Sequence, residues 1–75
     1  MNENYYYERA QKSVSRVTNL LNRFYSGTIE LNIVNFWYNI AKDYYLTDLD
    51  EMDPRSLVIK QKLDDLENEI NNLLE

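Results

Sequence analysis

No cysteine and no histidine occur in the 75 residues, and glycine, proline and tryptophan occur once each. Without cysteine there is no disulfide, and without a Cys/His cluster there is no structural zinc to staple a small chain. The same absences remove the commonest general base, the thiol nucleophile and the soft-metal ligands, so an enzyme of ordinary type is not expected. One glycine is too few for a phosphate-cradling loop. Ser13, Ser15, Ser26 and Ser56 have no recognisable activating partner. No apolar run exceeds three residues, far short of a membrane span. The start, Met1-Asn2-Glu3-Asn4-Tyr5-Tyr6-Tyr7, lacks the basic region and apolar stretch of a signal peptide. The expectation is a cytoplasmic protein with no cofactor and no small-molecule substrate.

Seventy-five residues make a single domain, 1–75, that buries only about 60% of its unfolded surface. Its stability must therefore come from well-packed helices or self-association, and an aromatic content of 13% supplies large apolar area for either. Frequent Asn, Tyr, Ile and Lys suit an AT-rich coding genome, such as that of a low-GC bacterium or its phages.

The net charge of −5 is unevenly spread. Residues 1–26 carry Arg9, Lys12, Arg16 and Arg23 against Glu3 and Glu8, a net +2. Residues 47–75 carry nine acids against Arg55, Lys60 and Lys62, a net −6. Opposite ends of a bundle can attract each other, or the acidic end can offer a patch to a basic partner, including as a mimic of nucleic acid.

Hydrophobic periodicity predicts an all-α fold, a small antiparallel three-helix bundle over about 5–25, 28–46 and 54–74. Ala10, Val14, Val17, Leu21 and Phe24 step by four and three, and so do Ile59, Leu63, Leu66, Ile70 and Leu73. Ser26-Gly27 ends the first helix, and Thr28 is the expected N-cap of the second. Asp53-Pro54 signals the start of the third: a capping acid, then proline at the first helical position. The acid-rich turn Asp48-Leu49-Asp50-Glu51-Met52-Asp53 begins like a calcium loop but lacks the oxygen ligand at position 5 and the glycine at position 6.

The middle segment is too apolar for one surface helix. Ile29, Ile33, Phe36, Trp37, Ile40 and Tyr44 line one side, and Leu31, Val34, Tyr38, Ala41 and Tyr45 an adjacent one. Together they cover about 220° of the helix, against the roughly 100° a core-facing helix needs. With helix 2 between helices 1 and 3, the Ile33/Trp37/Ile40/Tyr44 side is expected in the core. Leu31, Val34, Tyr38 and Tyr45 then become the candidate protein-binding residues, with self-association through this central helix as one way to cover them; the alternative is that Tyr38 and Tyr45 cap the bundle core with their hydroxyls in water. Tyr5, Tyr6 and Tyr7 cannot all face one core and form a second candidate patch. The basic stripe beside these tyrosines is the one feature favouring nucleic acid. The net acidic charge and the acid-lined third helix oppose it.

Lys60-Gln61-Lys62-Leu63-Asp64, followed by Leu66, resembles the Ser-Gln-x-Leu-Asp signature of small two-helix sporulation-type aspartyl-phosphate phosphatases. The resemblance spans about Ile29 to Leu74 and includes the hairpin order and the Asp-Pro start of its second helix. It implies a hairpin that docks on a response regulator and promotes loss of its phosphate. Gln61 and Asp64 would be the functional pair and Leu63 a packing residue. Lys60 stands where that signature has serine, Leu66-Glu67-Asn68-Glu69-Ile70 departs from its continuation, and the first helix has no counterpart.

The leading expectation is a small acidic interaction module, dimeric, that regulates or inhibits a larger protein by occupying its surface. The phosphatase-like regulator and a helical scaffold are the alternatives.

Overall fold

A computed structural model describes residues 3–75; Met1 and Asn2, the start of the segment in which no signal peptide is expected, lie outside them. Three helices follow one another, α1 (Glu3–Tyr25), α2 (Leu31–Asp48) and α3 (Pro54–Leu74). Each packs against the other two, α1 and α2 most extensively, in a body of 38 × 20 × 15 Å. The expected all-α three-helix bundle is the fold.

Each helix lines the core with a heptad-like seam. Tyr7, Ala10, Val14, Val17 and Leu21 come from α1, and Ile59, Leu63, Leu66 and Ile70 from α3. From α2 come Val34, Tyr38, Ala41 and Tyr45, stepping by four, three and four. The fully buried Val17, Val34, Ile59 and Ile70 contribute about 1.5–3 kcal/mol each to the core. Leu49, just past α2, closes the end of the core. Ser56 is the one buried polar residue among those described. Its hydroxyl donates to the Asp50 carbonyl and lies 3.3 Å from the Tyr7 hydroxyl, so the group is satisfied.

The α1–α2 link departs from expectation. Gly27 has φ +81°, its N–H donates to the Phe24 carbonyl at 2.9 Å, and the Thr28 N–H donates to Arg23 at 3.0 Å. This pair of bonds is a Schellman stop, with Thr28 in its final position. Thr28 is therefore used to end α1 and cannot cap α2; its hydroxyl also donates to the Arg23 carbonyl. Glu30 takes the N-cap position without a side-chain bond, and α2 spans 31–48 rather than 28–46. The start of α3 follows the expected chemistry. The Asp53 carboxylate accepts from the Arg55 N–H at 2.8 Å, with Pro54 in the first turn. The Arg55 guanidinium and then its backbone N–H hold the Asp53 carboxyl well below the usual carboxylate range.

A Cβ at Gly27 meets nothing within 4 Å, so Gly27→Ala introduces backbone strain alone. We expect a loss of about 1 kcal/mol. In urea titrations the midpoint falls while the slope stays that of the parent protein.

Candidate functional site

The bundle inverts the expected roles of the two sides of α2. Val34, Tyr38 and Tyr45, read from the sequence as contact residues, are 0%, 5% and 6% exposed and belong to the core, with Leu31 packed against it. Phe36 and Ile33, expected inside or beside it, are 58% and 40% exposed. The physical reason lies in the packing of α1 directly on α3. Helix α2 is thus one corner of a triangle rather than a middle layer, and a corner buries a single sector. Tyr38 tolerates its place because its hydroxyl donates to Glu67 at 2.6 Å. Burial, then that bond, pushes the phenol far above its ordinary pKa.

The tyrosine triplet divides in the same way. Tyr7 is core, with the Arg55 guanidinium 3.9 Å from its ring centre, so it is not a contact residue. Tyr6 is half-buried against the core, and Tyr5 is exposed. Only Tyr5 and, in part, Tyr6 remain available.

The apolar surplus is the outer strip Ile33, Phe36, Trp37, Ile40 and Tyr44. It lies beside the basic row of α1. The Arg9 guanidinium sits 4.3 Å from the Tyr44 ring centre and that of Arg16 4.9 Å from Trp37. Seven residues separate the partners on both helices, and the pairs run in opposite directions, as antiparallel helices require. Each rung stabilises the pairing by about 0.5–1 kcal/mol. Arg9 also pairs with Asp48 at the end of α2 and stands near the rings of Tyr5 and Tyr6. Among the described residues Lys12, Arg16 and Arg23 form no ion pair.

Between these two rows runs a groove of about 310 Å³, lined by Tyr5, Glu8, Arg9, Lys12, Ser13, Arg16, Trp37, Ile40 and Tyr44. It continues past Trp37 along the Leu20 and Arg23 side of α1. Its walls combine aromatic and aliphatic surface with the ion-paired Arg9, the cations Lys12 and Arg16, and one carboxylate, Glu8. No α3 residue lines it. Of the exposed large apolar side chains only Tyr5 lines it; Ile33 and Phe36 flank it on the outer side of α2, and Leu46, Met52, Leu57 and Val58 also lie outside it.

Three of the four carboxylates of the acidic turn are engaged within the bundle. Asp48 pairs with Arg9, Asp50 accepts from the Met52 N–H, and Asp53 caps α3. Among the described residues no group of three acids is placed to hold a metal ion. Gln61 and Asp64 are exposed on α3, the first donating to Asp65 and the second accepting from Lys60, while Leu63 is core. Among the described residues, no helix is long and apolar enough to cross a membrane. No family model matches the chain, and no curated protein or solved structure is significantly similar to it.

The two sides of α2 differ in what a charge would cost. Val34→Asp places an unpaired carboxylate in the core and should remove about 3 kcal/mol or more of stability, enough to threaten the fold. Phe36→Asp should change stability by less than about 1 kcal/mol. Thermal melts by circular dichroism distinguish them, and similar losses for both would contradict this assignment of inside and outside.

Proposed function

We propose that the protein is an interaction module that regulates or inhibits a larger protein through the α1–α2 face, by contact rather than catalysis. The observation that carries this reading is the outer strip of α2. Trp37 packs against the core, but Ile33 and Phe36 do not, and they remain exposed and contiguous with the half-buried Trp37 and Ile40. Contiguous exposed apolar surface with a polar rim marks interaction sites. Tryptophan, tyrosine and arginine, the residue types that dominate binding energy, line the adjoining groove. A cytoplasmic place of action belongs to the same proposal.

Neither alternative finds comparable support. The phosphatase-like pair Gln61 and Asp64 lies on α3, away from the groove, and each member is bonded to a neighbouring side chain. A pure scaffold leaves the aromatic strip unexplained.

The test is affinity capture from cells of the source organism, comparing the parent protein with Phe36→Asp and Ile40→Asp variants of unchanged helicity. The reading expects a discrete protein retained by the parent and lost from both variants. Equal retention by all three, or nothing retained above the bare support, contradicts it.

A further inference from the structure

The groove is two-railed, and the rails match in length. Lys12 to Arg23 on α1 and the strip Ile33 to Tyr44 on α2 are each eleven steps of helix, about 16 Å at 1.5 Å per residue; Trp37, Ile40 and Tyr44 of that strip line the groove itself, and Ile33 and Phe36 extend it outward. One rail is cationic but for Glu8, and among the described residues Lys12, Arg16 and Arg23 form no ion pair. The other is apolar. The chain as a whole is acidic, so this row is a local reversal of sign that a partner would sense.

We propose that the groove receives an acidic amphipathic helix of a partner protein. Its apolar ridge lies along Ile33, Phe36, Trp37 and Ile40, and its carboxylates face Lys12, Arg16 and Arg23. The proposal rests on the contact reading above and adds the partner's chemistry. A helix of about three turns spans both rails, and its large apolar side chain enters the cavity beside Trp37.

Two other occupants fit less well. In a two-fold pairing of this face with itself, the cationic rail meets either its own copy or the apolar rail, never a row of carboxylates. The acidic α3 of a second copy fits less well too: its apolar seam of Ile59, Leu63, Leu66 and Ile70 is buried in its own core, and the exposed Leu57, Val58 and Leu74 at its two ends form no continuous ridge. A single-stranded nucleic acid would need open ring faces for stacking. Arg16 already stands over Trp37 and Arg9 over Tyr44.

The experiment is fluorescence anisotropy with labelled helical peptides of about 18 residues, long enough to hold a helix. One carries a Leu/Trp ridge flanked by Glu, a second the same ridge flanked by Lys, and a labelled oligo-dT is the third probe. The parent protein should bind the Glu peptide at least about tenfold more tightly than the Lys peptide, with the margin shrinking at high salt. A Lys12→Glu/Arg16→Glu double variant should reverse that order, and Phe36→Asp should weaken both peptides.

Equal affinity for the two peptides, both lost on Phe36→Asp, overturns the acidic-partner inference and leaves the contact reading standing. Failure of both peptides also overturns it; capture sensitive to Phe36→Asp then decides separately whether the contact reading survives. Tighter binding of oligo-dT than of either peptide, or self-association by light scattering that masks the groove, likewise overturns the acidic helix as occupant.

Discussion

The seam Val34, Tyr38, Ala41 and Tyr45 on α2 is the constraint on which the rest of the structure depends. It turns the smallest apolar side chains of the helix, Val34 and Ala41, toward the bundle axis in alternation with two tyrosines. Small residues let α1 and α3 approach each other as well as α2, and this closes the triangle. Once the triangle closes, α2 has one buried sector and every other apolar residue on it must find a different role. The Tyr38 hydroxyl, bonded to Glu67, is what makes so polar a tip tolerable at the edge of the core.

The outer strip follows from that choice. The guanidinium groups of Arg16 and Arg9 stand over the half-buried Trp37 and Tyr44 and join the two helices at points two turns apart. Ile33 and Phe36 receive no such cover. The same residues thus serve stability on one flank and leave a groove on the other. A protein of this size, with no disulfide and a small core, gains nothing in stability from large exposed apolar side chains, and this is why the strip reads as function.

Much of the fold was legible from the residues. The seams of α1 and α3, the Gly27 stop and the Asp53-Pro54 start all have local causes, and the structure contains each of them. The interior side of α2 was not legible from spacing. Val34-Tyr38-Ala41-Tyr45 and Ile33-Trp37-Ile40-Tyr44 step identically by four, three and four, so periodicity cannot rank them. Choosing between them requires knowing that α1 touches α3, which is long-range information. Thr28 misled for a related reason: one residue can end a helix or begin one, and the Schellman bonds of Gly27 and Thr28 decide it. The groove did leave a signal. Arg9, Arg16 and Arg23 are seven apart, as are Trp37 and Tyr44, a cation–aromatic register between antiparallel helices that hydrophobic patterning alone overlooks.

Which side of α2 faces inward is open to direct observation in solution. Nuclear magnetic resonance with a soluble paramagnetic probe measures the accessibility of individual side chains in the dilute protein. The account predicts strong relaxation of the Ile33 methyls and the Phe36 ring, a smaller effect at Ile40, and protection of the Val34 and Ala41 methyls. Protected Ile33 and Phe36 beside accessible Val34 and Ala41 would contradict it.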